Sequence, residues 1–412
     1  MIPRKLQAKA CELAGFYPVV VITGPRQAGK TTLCKAAFPD KAYVSLEALD
    51  HRDFAHSDPR GFLAEYRQGA VIDEIQQVPE LTSYLQGEVD SEPEPGRFIL
   101  TGSQHFGLSQ SISQSLAGRC GILALLPPDY EELTAFSNAP NDLYTTLWQG
   151  AYPRIYDRDI PAHQWLADYI VTYVERDVRQ VINIGDLQIF SEFLKLCAGR
   201  TACEINLSAL GNDAGISHNT ARAWLSILET SYIIHRLPAW HGNIRKQVVK
   251  APKLHFFDSG LVCYLLGIRE PEQLRHHPLR GAIFESWAVS ELYKAQVNRG
   301  ERPQMFHYRE SRGPEIDVLV NQGECLYAIE IKSGTTASTD FFKHFQILPD
   351  RLKNTRLPSV IHNHVIYGGE ESQRRSIAQL VPWRDTPGIL CMANEQSRNN
   401  QGAKVVFRNK TV

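Results

Sequence analysis

One stretch of this chain has side chains spaced for phosphate chemistry: Gly24-Pro-Arg-Gln-Ala-Gly-Lys-Thr. Its fixed positions read G-x-x-x-x-G-K-T. Glycines let backbone N–H groups turn inward around phosphate oxygens. Lys30 is placed to neutralise β/γ charge, and the Thr31 hydroxyl to ligate Mg²⁺. Gly24, Pro25, Arg26, Gln27, Ala28, Gly29, Lys30, Thr31 and Thr32 are the expected nucleotide-binding residues. Downstream, Ala70-Val-Ile-Asp-Glu is an apolar run ending in two acids. Asp73 would complete a Mg²⁺ shell, and Glu74 would polarise an attacking water.

Two further elements bear on the same chemistry. The apolar run Phe98-Ile-Leu ends in Thr101-Gly-Ser-Gln, where Ser103 or Gln104 is the expected γ-phosphate sensor. Arg119 is a candidate arginine finger, and Arg176 competes for that role. A surface ion pair is the plain alternative for either arginine. No N-K-x-D guanine-reading pattern follows the phosphate loop, so the expected nucleotide is ATP, with Mg²⁺.

A second constellation lies far downstream. Glu315-Ile-Asp-Val-Leu-Val reads as a strand carrying Asp317, and Leu326-Tyr-Ala-Ile-Glu-Ile-Lys as a strand carrying Glu330 and Lys332. Side chains alternate along a strand, so Glu330 and Lys332 share a face. Paired strands would bring Asp317 beside them, and Glu285 would approach from a helix over 281–297. Carboxylates so placed are expected to hold a divalent metal, with Lys332 beside its bound water. This is the D…E-x-K nuclease pattern. A solvated strand face is the competing reading.

These groups need elements to hold them. A buried strand over 16–23, a Gly-containing loop and a helix from Thr31 open an α/β nucleotide-binding domain, and the strands that follow imply a parallel sheet. Leu207 to Leu228 reads as helix, tight turn, helix, with Ser217 capping the second helix. Ala221, Trp224, Leu225 and Leu228 make the buried face of that helix. His218, Asn219, Arg222 and Ser226 face outward. Between Glu229 and Asp258 there is no acid, and a wing carrying Arg245, Lys246, Lys250 and Lys253 is expected to touch DNA together with Arg222. Packing against another subunit or the nucleotide domain is an equal alternative. The expected domains are residues 1–150, 151–256 and 257–391, with a polar, disordered tail over 392–412.

Composition limits the choices. The chain has 412 residues, 44 Lys and Arg against 45 Asp and Glu, and a net charge of −1, so any nucleic-acid affinity must come from a local patch. Its eight cysteines are scattered without a C-x-x-C pair, which points to reduced thiols in a cytoplasmic protein. Neither a membrane span nor a secretory signal is expected. Association with further copies of the chain is left open.

Over nearly its whole length the chain resembles the prokaryotic AAA-type ATPases that carry a C-terminal nuclease-like domain of unknown function. The matching stretches include the phosphate loop, Ile72-Asp-Glu-Ile-Gln-Gln-Val-Pro-Glu-Leu, Ile99-Leu-Thr-Gly-Ser-Gln and Leu116-Ala-Gly-Arg. Further matches are Tyr173-Val-Glu-Arg-Asp, Lys253-Leu-His-Phe-Phe-Asp-Ser-Gly-Leu, Phe284-Glu-Ser-Trp, Glu315-Ile-Asp and Glu330-Ile-Lys. The resemblance implies an AAA-like core, a winged helix and a C-terminal fold of the PD-(D/E)xK type, similar to restriction endonucleases.

Overall fold

The computed structural model describes residues 2–103, 114–174, 187–240, 251–310, 314–322, 325–346 and 360–390. Five short strands build the first sheet: β1 (Val19–Thr23), β2 (Ala42–Ser45), β3 (Ala70–Asp73), β4 (Phe98–Thr101) and β5 (Cys120–Ala124). Their order is β2-β3-β4-β1-β5, all parallel. β1, β3 and β4 are buried along their whole length, as continuous apolar runs in a sheet covered on both faces must be. One face packs Val19, Val21, Ile72 and Leu100 against Phe62, Leu81 and Leu85. The other packs Val20, Ile22 and Ile99 against Leu6, Ala10 and Leu33.

Because β4 lies between β1 and β3, the C-terminal ends of three strands meet at one edge. The phosphate loop, Asp73–Glu74 and Thr101 all emerge there. Asp129 then caps the short helix Tyr130–Leu133 in a reciprocal box with Glu132.

The middle region is helical. The helix–turn–helix read from the sequence appears as Leu207–Asp213 and His218–Thr230, with Asn206 and Ser217 each accepting a capping hydrogen bond. An antiparallel pair follows, β6 (Ile234–Leu237) with β7 (Lys253–Phe256). The expected wing tip, with Arg245, Lys246 and Lys250, lies outside the described residues, as do Arg176, Gln104 and the 392–412 tail.

The third region is a six-stranded mixed sheet of order β12-β13-β11-β10-β9-β8. Its strands are β8 (Met305–Arg309), β9 (Glu315–Gln322), β10 (Cys325–Lys332), β11 (Val360–Tyr367), β12 (Gln373–Arg374) and β13 (Gln379–Pro382). The Arg280–Val297 helix crosses it, buried along most of its length. This helix and sheet share one apolar core with the middle region, running from Tyr130 to Leu390. Main-chain bonds also join the segment just after β6 to β8: Trp240 N–H donates to the His307 carbonyl at 2.6 Å and His307 N–H to the Pro238 carbonyl at 2.9 Å. Among the described residues no helix is long and apolar enough to cross a membrane.

Candidate functional site

The phosphate loop forms where the chain leaves β1. Gly24 sits at φ +145°, and a Cβ there would lie 2.1 Å from the Leu125 carbonyl oxygen, so only glycine lets the loop pass β5 this closely. Gly29, at φ +94°, starts the Lys30–Ala37 helix, whose N-terminus faces the loop. Lys30 is buried, and its ammonium donates to the Gly24 and Pro25 carbonyls at 3.1 and 2.9 Å. Burial lowers its pKa, against the opposing pull of Glu74 and Asp73.

Asp73, at the end of β3, collects three hydroxyls. Thr31 donates to its Oδ2 at 2.8 Å, Tyr43 to the same oxygen at 2.6 Å, and Thr101 to Oδ1. The Thr31 hydroxyl and Asp73 carboxylate are hard oxygen donors on one side of the loop, and they suit Mg²⁺. Glu74 follows in the left-handed region at φ 60°, ψ 46°. A non-glycine residue held there is a strained one, and the Glu74 N–H is fixed on Thr101 Oγ1 at 3.3 Å. Gln76 Nε2 donates to the Glu74 carboxylate and to Ser103 Oγ, the latter at 3.1 Å.

A cleft of about 600 Å³ opens over this edge, lined by Arg26 to Leu33, Asp73, Glu74 and, from outside the sheet, Ile2, Phe136, Pro153, Arg154 and Arg158. Below the loop, Arg4 is buried. Its guanidinium donates to the Ala28 carbonyl at 2.9 Å and the Leu126 carbonyl at 2.7 Å, and pairs with Glu132 at 3.1 Å. Arg4 therefore ties the loop to the end of β5.

Every described residue predicted around the phosphate loop lies at this edge except Arg119. That side chain precedes β5, whose Cys120 pairs with Val19 at the end of β1 remote from the loop. It forms a two-point ion pair with Asp90, at 2.5 and 2.9 Å. Arg119 thus stands away from its own chain's phosphate loop, and only a neighbouring copy could present it to a nucleotide. The sequence reading missed Thr101, Tyr43, Arg4, Arg154 and Arg158. Thr101 had a signal: it is the strand-end residue itself, two positions before the serine chosen. The others belong to no motif.

The C-terminal groups also converge. Lys332 Nζ lies 2.5 Å from Glu330 Oε2 and 3.4 Å from Asp317 Oδ2. Ile331 N–H donates to that same Asp317 oxygen at 2.7 Å, and Glu330 Oε1 meets His344 Nδ1 at 3.0 Å. Glu285 approaches from its helix as expected. Its partner is Lys253, at 2.9 Å, which also lies 3.0 Å from Glu315 and 3.9 Å from Asp317.

This corrects the assignment of Lys253 to an outward DNA-binding wing, because residue 253 is 3% exposed. The set also differs from the expected metal site. Each carboxylate oxygen named here faces an ammonium, an imidazole or a backbone N–H. Among the described residues no group of three or more His, Cys, Asp or Glu side chains is arranged to hold a metal ion. Burial first, then the neighbouring Asp317, pushes Glu285 up to about 8. Burial and Asp317 raise Glu330 as well. Lys253 is raised: its burial works the other way, and Glu285, Asp317 and Glu315 together outweigh it.

Of the residues expected on the outer face of the second helix, His218, Asn219 and Arg222 are exposed and Ser226 is half-buried. Arg236, on β6, is ion-paired with Glu229.

Comparison with known proteins finds matches in three segments. Residues 17–134 match the family model of an AAA domain. Residues 140–272 and 280–385 match two domains of unknown function, DUF8612 and DUF4143. Uncharacterized proteins of Mycobacterium bovis and Mycobacterium tuberculosis are each 29% identical over 323 residues, covering 78% of this chain and 71% of theirs. Among solved structures, the Walker-type ATPase of Pyrococcus abyssi is 14% identical with a TM-score of 0.44, covering 63% of this chain and 94% of that one. Thermotoga maritima RuvB is 20% identical with a TM-score of 0.29, covering 57% and 88%. Aquifex aeolicus DnaA bound to AMPPCP is 14% identical with a TM-score of 0.28, covering 55% and 86%. Residues 17–134, which carry the P-loop, are thus similar to AAA domains.

Proposed function

We propose that this protein hydrolyses ATP at the phosphate-loop edge of the first sheet and uses the nucleotide state to control contact with DNA. The observation that carries the reading is the Thr31–Asp73 pair, 2.8 Å apart, with Glu74 next in the chain and backbone-locked beside it. In this reading Lys30 exchanges its two loop carbonyls for phosphate oxygens. Thr31 and Asp73 would hold Mg²⁺, which would supply positive charge against the phosphates. Glu74 orients the attacking water, and Gln76, which also donates to Ser103 Oγ, holds the Glu74 carboxylate. Arg154 and Arg158 supply positive charge from outside the sheet. The test is phosphate release from ATP with and without Mg²⁺. Wild type should turn over only with the metal, and Lys30→Ala should neither bind nor turn over ATP. Full turnover by folded Lys30→Ala would reject the site.

DNA contact is assigned to the exposed face of the His218–Thr230 helix, together with the basic run Arg245, Lys246 and Lys250. Neutralising those three residues should weaken binding and flatten its salt dependence, since each phosphate contact releases counterions. Absence of DNA affinity in wild type at low salt would leave the competing reading, an ATP-dependent switch that docks a protein partner. No strand-cleavage step is assigned to the C-terminal sheet.

A further inference from the structure

We infer that Lys253 is a built-in cation of the C-terminal carboxylate cluster, occupying the charge position that a divalent metal would otherwise fill and excluding the metal. Asp317 is the centre of the argument. Its Oδ2 faces Lys332 at 3.4 Å and its Oδ1 faces Lys253 at 3.9 Å, so the carboxylate lies between two ammonium groups. Lys332 belongs to the same strand motif as Glu330. Lys253 comes from β7, in another region of the chain, and also meets Glu285 at 2.9 Å and Glu315 at 3.0 Å. These are ammonium-to-oxygen separations. Mg²⁺ would draw the same oxygens to about 2.1 Å from a common centre, into space the ammonium holds.

The lysine is anchored, not tethered by a free stem. Its strand pairs with β6 on one side. On the other side Leu254 N–H donates to the Cys203 carbonyl at 2.9 Å, and Ile205 N–H to the Pro252 carbonyl at 2.8 Å. The whole side chain is 4% exposed. A cation so fixed repels an incoming divalent ion at contact range, in a site where water screens poorly.

The test is Mn²⁺ binding to the full chain without nucleotide, followed by electron paramagnetic resonance. Each protein is compared with its Asp317→Asn counterpart, which subtracts metal held at the phosphate loop. Wild type should show no Asp317-dependent site. Lys253→Gln should gain one, tighter by about a hundredfold or more, and Asp317→Asn should remove it. Unchanged ATP binding reports that the variant is folded. If Lys253→Gln does not fold, the Lys253→Gln/Glu285→Gln pair, which leaves neither group buried without its partner, is scored instead. Asp317-dependent Mn²⁺ binding by wild type would overturn the inference, as would a folded variant that gains no site.

Discussion

Arg4 and Glu285 carry the sharpest residue-level consequences. Arg4 is the buried partner of Glu132 and the donor to the loop carbonyl of Ala28. Arg4→Ala leaves a buried carboxylate unpaired, so it should lower stability by about 3–5 kcal/mol. It should also weaken ATP binding, because the loop loses its tie to β5. Chemical denaturation and nucleotide titration check both effects. A stable variant with unchanged affinity would remove Arg4 from the account. Glu285 predicts a pH dependence. Its value rises from 4.5 to about 8 in the folded chain, so folding takes up a proton. The stabilisation is complete below 4.5 and is lost as pH rises through about 8. Lys253, whose pKa is raised, stays charged across this window and adds no slope. The melting temperature of wild type should fall over that range relative to Glu285→Gln. Parallel pH profiles would contradict the assignment.

At the scale of elements, Ser217 accepts a hydrogen bond from Thr220 N–H at 3.1 Å and starts the outward-facing helix. Ser217→Ala should cost about 1 kcal/mol through the lost cap. Arg222→Ala, on the exposed face, should leave stability unchanged and weaken DNA binding. An unaltered DNA affinity would turn this helix toward protein contact. These elements were legible in the sequence because each has local punctuation. The Gly loop, the acids ending β3, and the Ser217 cap all bracket their segments. β9 and β10 were legible because apolar residues alternate with the chemistry-bearing ones. β5, β8, β11 and β13 carry no such marker, and their strand character comes from neighbours far along the chain. Lys253 was misread for the same reason. In sequence it belongs to a run of basic residues without acids, and its three carboxylate neighbours come from a helix and a strand that only the folded sheet brings in. Arg4 was invisible because its three partners are a loop carbonyl, a strand-end carbonyl and Glu132.

For the whole molecule, the location of Arg119 requires assembly if it is to act on ATP. Its pairing with Asp90, at the end of the sheet away from the loop, keeps it from its own chain's nucleotide. Arg119→Ala should then reduce turnover by about 10³-fold or more with little change in ATP affinity. Wild-type activity should also rise faster than linearly with protein concentration. Strictly linear activity with a monomeric mass in ATP would rule out a finger acting between copies. The central claim is that the Thr31–Asp73–Glu74 edge is a hydrolytic ATP site. Its most direct test is one paired measurement on Glu74→Gln, recording ATP affinity and phosphate release together. The account predicts ATP binding close to wild type, with phosphate release lower by about 10²–10⁴-fold, the range that a positioned base contributes. Undiminished phosphate release from folded Glu74→Gln would contradict it.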